Sequence, residues 1–218
     1  MVARPSADGI LVVKGCFAFG AEHDAAGAIQ DSFTLEICFP GVFPQALPNV
    51  KEIGGRIPRT VDFHVNSDGS LCLGSPLRLL KLLSAQPTII GFAESCLVPY
   101  LYAMSHRLRT GAFPFGELPH YAEGMLADYM ALFRLKHPEQ ARRALRLLGL
   151  KKRRANKLPC PCECGRRTGR CKFNEQLREF RSLASRRWFR GQYTVHASKP
   201  VAVEQKILRP PKKPAVIL

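Results

Sequence analysis

Four large apolar side chains, Phe33, Leu35, Ile37 and Phe39, alternate with Thr34, Glu36 and Cys38 in the run SFTLEICF. A period of two places the first set on one face of a strand and the second on the other, the pattern of an antiparallel sheet with one face in the core. The flanking segments extend this into a meander. Residues 10–19 (ILVVKGCFAF) are apolar and β-branched enough for a preceding strand, and the small, polar AEHDAAGAIQDS reads as a hairpin connection. After the proline-punctuated loop PGVFPQALP, NVKEIGG reads as a third strand and RTVDFHV as a short fourth.

The period then changes. From Pro87 to about Arg109, the residues Ile89, Ala93, Cys96, Tyr100 and Met104 fall along one helical face, with Pro99 expected to kink the helix. A second helix is expected from Glu117 to Lys136, where Leu118, Tyr121, Met125, Tyr129, Leu132 and Phe133 recur at helical spacing. A third is expected over 138–148 (PEQARRALRLL), opening on proline, and NEQLREFRSLASRRWF reads as one more. Strands followed by helices make an α+β layout.

The formal charge of +16 separates along the chain. Residues 142–218 hold 22 Lys/Arg against 4 Asp/Glu, whereas residues 1–141 hold 11 against 13. The basicity therefore belongs to the C-terminal third and says nothing about the sheet-forming part. The 8 cysteines divide in the same way: Cys16, Cys38, Cys72 and Cys96 are scattered, while Cys160, Cys162, Cys164 and Cys171 crowd together. Such crowding suits a metal site in a reducing compartment better than a secreted disulfide framework. No run approaches the roughly 18 apolar residues of a membrane span, and MVARPSADGILVVKG is too short in apolar residues for a secretory signal. A soluble, cytoplasmic chain with no membrane partner is expected.

Cys72 stands apart from the other scattered cysteines by its surroundings. It lies in NSDGSLCLGSP, a glycine-bounded polar segment, so its thiol is expected to be accessible. An accessible thiol suits acyl transfer, in which the thiolate attacks an activated carboxyl group and stores it as a thioester. Asn66, shortly before it, has an amide that can donate to the oxyanion formed when an amine attacks that thioester. Asp68 or Glu117 could deprotonate the incoming amine, although Asp68 with Gly69 also suits a plain turn. His120 reads either as a helix cap or as a neighbour of the Cys72 loop. Cys96 on its apolar helix face and Cys16 in its strand read as packing residues, and Cys38 faces the polar side of its strand.

The run FTLEICFPGVFPQALPNVKEIGGRIPRTVDFHVNSDGSLCLGSP resembles the heart of a ubiquitin-conjugating (UBC-like) domain. That family shows a strand, a proline-rich turn and another strand, then His-Pro-Asn followed by Asp-Gly-x-Ile/Leu-Cys-Leu. The segment Asp68 to Leu73, DGSLCL, matches the latter half. Val65 stands where the family has proline, the His-to-Cys interval is shorter than in the common eukaryotic form, and no leading helix fits before residue 10. With GELPHYAEGMLADY after the core, these features are similar to the divergent bacterial members. The similarity spans roughly residues 8–136. It implies Cys72 as the thioester cysteine, Asn66 as the oxyanion-stabilising asparagine and His64 as the structural histidine of the turn. It also implies three partners, namely a ubiquitin-like protein, a cognate activating enzyme and a target protein, in a setting that for some members is an anti-phage operon.

The run LPCPCECGRRTGRCKF resembles the SEC-C zinc motif. Cys160, Cys162 and Cys171 fall on its first three ligand positions, Lys172 occupies the fourth, and Cys164 offers a substitute thiolate. The resemblance implies a structural Zn2+ closed by four ligands. Arg166, Arg167, Arg170 and Lys172 lie in or beside this loop, and Arg181, Arg186, Arg187 and Arg190 follow with Trp188, Phe189 and Tyr193. Basic side chains among aromatics are compatible with nucleic-acid binding and equally with docking an acidic protein. Three regions are therefore expected: a UBC-like conjugating domain over 1–150, a zinc module with a basic helix over 151–197, and a mobile basic tail over 198–218. The alternative function is a catalytically inactive UBC-like binding protein that holds nucleic acid or an acidic protein through the zinc module and tail.

Overall fold

The computed structural model describes residues 1–6, 8–24, 26–115, 121–197 and 215–216. Strands β1 (Val2–Pro5), β2 (Leu11–His23), β3 (Gly27–Phe39) and β4 (Asn49–Glu52) form an antiparallel meander in that order. A two-residue strand, Ala215–Val216, adds to β2. The chain is thus α+β, with the meander preceding the helices. Phe33, Leu35, Ile37 and Phe39 are all buried, whereas Thr34 is exposed and Glu36 and Cys38 half-buried, as the alternation requires. The β2–β3 hairpin is longer than expected: most of AEHDAAGAIQDS pairs within it, from Ala21 opposite Ile29 to His23 opposite Gly27.

Helix α1 (Pro76–Leu83) is not among the elements expected from the sequence. It opens on Pro76, whose missing N–H is not needed in a first turn, and buries Leu77, Leu79, Leu80 and Leu83. Helices α2 (Ile89–Phe92) and α3 (Val98–Thr110) are joined through one wide turn, Ala93–Leu97, in which the Val98 N–H reaches the Ala93 carbonyl five residues back. The wide turn precedes Pro99, whose ring would clash with the carbonyl four residues earlier in a regular helix. An extra residue in a turn rotates what precedes it by about 100°. Cys96, Tyr100 and Met104 accordingly face the core while Ile89, expected on the same face, is 45% exposed.

A fourth strand over RTVDFHV does not form. Val61–Phe63 make a single tight helical turn, and His64 ends it at φ 50°, a left-handed conformation that breaks any extended run. Only Val65 pairs in strand fashion, with Leu71. Cys16 likewise departs from expectation. It is exposed because it sits opposite Thr34, on the outward face of the hairpin, while Phe19 and Ala21 point inward.

Asp31, in β3, ties the sheet to its surroundings. Its carboxylate accepts from the Arg56 guanidinium at 2.8 Å, the Ser105 hydroxyl at 2.7 Å and the Ser32 N–H at 2.8 Å. Partial burial alone would raise its pKa, but these donors and the Arg56 charge bring it from 3.8 to about 2. The native state therefore holds this proton less tightly than the unfolded chain. The resulting stability is present above pH 3.8 and lost as pH falls through about 2. Asp31→Asn is expected to lower unfolding free energy at neutral pH by about 2 kcal/mol. Urea titrations should find the gap from the parent closing as pH approaches the native pKa.

The described chain divides into two compact units, Met1–Glu117 with Ile207–Leu218, and Leu118–Lys206. In this division α4 (Tyr121–Phe133) and α5 (Pro138–Gly149) fall with the C-terminal helices. In this second unit, α6 (Lys152–Ala155), α7 (Phe173–Leu183) and α8 (Arg186–Ala197) follow. Phe133 meets Phe180 edge-on at 4.8 Å, and Tyr129, Leu145, Leu148, Leu177 and Phe189 are buried with them. The single helix expected over NEQLREFRSLASRRWF is two helices. Ala184 is extended, at φ −151°, and the Ser185 hydroxyl starts the next helix by accepting from the Trp188 N–H at 3.2 Å. The expected tail over 198–218 lies outside the described residues apart from Ala215–Val216.

Candidate functional site

The segment bearing Cys72 is a tight hairpin laid beside β4. The Asn66 N–H donates to the Ser70 carbonyl at 2.8 Å, the Cys72 N–H to the His64 carbonyl at 2.8 Å, and Val65 pairs with Leu71. Gly69, at φ 79°, supplies the left-handed residue the turn needs. The hairpin is fixed to the sheet through the Leu71 N–H, which donates to the Val50 carbonyl at 2.8 Å, and through pairing of Ser70 with Lys51. Leu71 points into the core and Cys72, one residue on, is exposed. The strand alternation in this short arm is what presents the thiol.

Each polar residue expected here has a defined place. Asp68 accepts from the Ser70 N–H at 3.0 Å and the Ser70 hydroxyl at 2.6 Å, and these bonds hold its carboxyl below the usual range. The Asn66 amide donates to the Ser70 hydroxyl at 3.0 Å. The His64 ring lies edge-on to Phe113, with centroids 5.4 Å apart, and its carbonyl, as noted, anchors Cys72. Glu117 and His120 lie outside the described residues. Cys96 is buried, its thiol 3.9 Å from the Leu79 carbonyl, and is the packing residue expected.

Two residues near Cys72 escaped the sequence reading. The buried Tyr100 hydroxyl donates to the Phe63 carbonyl at 2.9 Å, just before the His64 carbonyl that anchors Cys72. Burial raises the Tyr100 pKa, and the negative charges that Cys72 and Glu52 can carry raise it further, so this hydroxyl stays protonated. Glu52, also buried, accepts from the N–H groups of Gly54 at 2.8 Å and Gly55 at 2.9 Å. Helical spacing from Cys96 marks Tyr100 only as a core residue, and nothing in the sequence connects it to a hairpin 28 positions earlier.

Cys72 is exposed as a residue, yet the sulfur is surrounded closely enough that desolvation pushes its pKa above the ordinary 9.0, with the Gly74 N–H acting in the opposite sense. The thiol is therefore protonated at neutral pH and must lose its proton as it attacks. Iodoacetamide labelling of Cys72, followed by peptide mass spectrometry, is expected to accelerate with pH and to reach its midpoint above 9.0. A midpoint near neutrality would show an activating cation at the thiol.

The second group of thiols lies wholly within the second unit. The sulfurs of Cys160 and Cys162 are 3.2 Å apart, those of Cys162 and Cys171 3.5 Å, and those of Cys164 and Cys171 3.6 Å. All four fall within 4.8 Å of one another. A tetrahedral metal with thiolate bonds of about 2.3 Å needs sulfur separations of about 3.8 Å, so the donor set fits. The Cys171 sulfur also accepts the Phe173 N–H at 3.4 Å. Such a bond favours the thiolate and fixes its direction.

The local backbone is built for this knuckle. Glu163 and Gly165 take left-handed conformations, at φ 61° and 73°, which curl the chain so that alternate residues converge. The Cys160 N–H donates to the Arg166 carbonyl at 2.9 Å and the Thr168 N–H to the Leu158 carbonyl at 2.8 Å. Glu163 ties the loop to α5, accepting from Gln140 at 3.0 Å and Arg143 at 3.2 Å. Cys164, the substitute ligand expected from the sequence, does join the other three, and Lys172 is exposed outside the sulfur cluster.

The aromatic residues of the basic helix are less available than expected. Phe189 is fully buried, and Trp188 lies edge-on against it with centroids 5.0 Å apart. Arg181 is turned inward, donating to the Leu147 carbonyl at 3.1 Å. No helix among the described residues is long and apolar enough to cross a membrane. Comparison with protein-family models, with curated proteins and with solved structures finds no match for this chain.

Proposed function

We propose that this chain is a ubiquitin-like-protein conjugating enzyme that carries its cargo as a thioester on Cys72. The observation that carries the reading is the exposed Cys72 thiol on a hairpin whose backbone is pinned at both arms, directly after a four-stranded meander. Pinning matters because a carrier thiol must meet two partners in turn, so orientation fixed in advance lowers the entropic part of each barrier.

In the first step the Cys72 sulfur attacks the C-terminal carbonyl carbon of the ubiquitin-like protein, held as a thioester on the activating enzyme. A new carbon–sulfur bond forms, the donor's carbon–sulfur bond breaks, and the Cys72 proton passes to the departing thiolate. In the second step a target amine, a lysine in the simplest case, attacks the same carbon. The isopeptide bond forms and the Cys72 thiolate leaves, taking up the proton the amine releases. Asn66 is proposed as the oxyanion donor, which requires its amide to turn from Ser70 during the reaction. His64 acts through its backbone, by holding Cys72, and Asp68 by closing the turn.

The metal of the four-cysteine cluster is proposed to be Zn2+ in a structural role. Four thiolates match its ligand preference and saturate a tetrahedral ion, so the cluster supplies rigidity to the second unit and leaves the acyl chemistry to Cys72. A SEC-C-like module in a bacterial conjugation system, with an anti-phage role, is the biological setting proposed.

The test is the intact mass of a Cys72→Lys variant co-expressed with its genomic neighbours. Lysine there should trap the carrier as a stable isopeptide. An added mass equal to a small ubiquitin-like protein, mapped to residue 72, is the expected result. Absence of an adduct while the activating enzyme is demonstrably charged would reject the carrier role.

A further inference from the structure

We infer that the surface around the four-cysteine knuckle is a binding face for the phosphate backbone of a nucleic acid. Two basic runs that are separate in sequence meet there. Lys152, Arg153 and Arg154 lie on α6, and Arg166, Arg167 and Arg170 lie on the far side of the cysteine loop; all six are exposed. The knuckle brings their backbones together: Pro159 pairs with Arg167, and the Gly169 N–H donates to the carbonyl of Asn156, just after α6, at 3.0 Å. Cations that would be free to separate along a flexible linker are held side by side.

The chemistry of this surface distinguishes between polyanions. A protein partner is ordinarily gripped by apolar anchors at the centre of an interface, with charges at the rim. Among the described residues, the exposed large apolar side chains of the second unit come down to Val195, and none lies within 151–172. The one acid in that stretch, Glu163, is already engaged by Gln140 and Arg143. Arginine predominates, and its guanidinium suits phosphate oxygens. Phe189 is buried and Trp188 packs edge-on against it, which favours charge over base stacking. Recognition is therefore by charge along a backbone, with little dependence on sequence.

The experiment is fluorescence anisotropy of the full-length, metal-loaded protein with a short mixed-sequence duplex, as DNA and as RNA, over about 50 to 200 mM salt. Two charge-reversal variants divide the face: one changes Lys152, Arg153 and Arg154 to Glu, the other Arg166, Arg167 and Arg170 to Glu. A third carries the same three charge changes at Arg178, Arg186 and Arg187, exposed cations of α7 and α8. Each patch variant is expected to weaken binding roughly tenfold or more and to flatten the salt dependence. The third variant, which makes the same change in net charge at residues outside 151–172, should remain within about threefold of the parent. Because α6 contains no metal ligand, the first variant tests the idea even where the second lost its metal. Equal losses in all three variants would mean that affinity follows total charge alone, and would overturn the inference. So would competition by polyglutamate as effective as that by the duplex, which would mark the face as one for acidic proteins.

Discussion

A Cys72→Ala protein is expected to be folded like its parent and to lose transfer by a factor on the order of 10³ or more. The structural half of that statement follows from the hairpin. Its anchors are the backbone bonds of Leu71 to Val50 and of Cys72 to His64, together with the buried side chain of Leu71. None of these involves the Cys72 sulfur, so the fold should be kept, with a loss of stability of no more than about 1 kcal/mol for the partly enclosed sulfur. The chemical half follows from the thioester, which only a sulfur nucleophile can form. A Cys72→Ser variant makes the distinction sharper. Serine can hold the same acyl group as an oxygen ester, which resists cleavage by added thiols where a thioester does not. Gel analysis with and without reductant should therefore find a reductant-sensitive adduct on the parent, a reductant-resistant one on the serine variant and none on alanine. Full transfer by the alanine variant would end the proposal that this cysteine is the carrier.

The second large effect is expected at Cys160. This is the most buried of the four clustered cysteines, 4% exposed, and its sulfur lies 3.2 Å from that of Cys162. Serine at this position removes a thiolate and leaves a hydroxyl that is a much poorer ligand for zinc. Metal affinity should fall at least about 100-fold. Elemental analysis of the purified proteins should find one equivalent of zinc in the parent and a substoichiometric amount in the variant. Stability should fall with it, since metal binding that favours the folded state contributes directly to folding free energy. The knuckle holds Leu158, Thr168 and, through Glu163, helix α5, so loosening should spread into the second unit. A Cys160→Ser protein with undiminished metal would show that the four thiols are not acting together as ligands.

The residues that were easiest to read are those whose local pattern leaves one choice. Alternation over Phe33–Phe39 put the correct face of β3 into the core. Proline at 138 marked the start of α5. Four cysteines spaced so closely in sequence can be gathered by one local curl, and left-handed Glu163 and Gly165 supply the curl that brings the sulfurs together. A glycine-bounded polar segment marked Cys72 as exposed for a similar reason: a stretch with so few apolar residues has little with which to bury itself.

What failed depended on geometry that residue spacing does not encode. RTVDFHV has the β-branched and aromatic content of a strand, but the left-handed His64 ends it. Ile89 fits the helical period of Cys96 and Tyr100, yet the wide turn before Pro99 rotates it out to solvent. Cys16 is apolar in type and lies in a strand, but its register opposite Thr34 directs it outward. Sequence periodicity reports which residues share a face of an unbroken element; it cannot report where the element is interrupted or which face meets the core.

The α+β order of elements, the concentration of positive charge in the last third, and the two groups of cysteines with different surroundings could all be read from residue order. Each of these is a matter of neighbours along the chain. Long-range packing instead sets the Tyr100 hydroxyl on the turn leading to Cys72 and groups α4 and α5 with the knuckle and not with the sheet. It also brings together the backbones that follow and carry the two basic runs, through Pro159 with Arg167 and Asn156 with Gly169. These are contacts between residues far apart in sequence, selected by how well buried surfaces pack, and packing is a property of the whole fold.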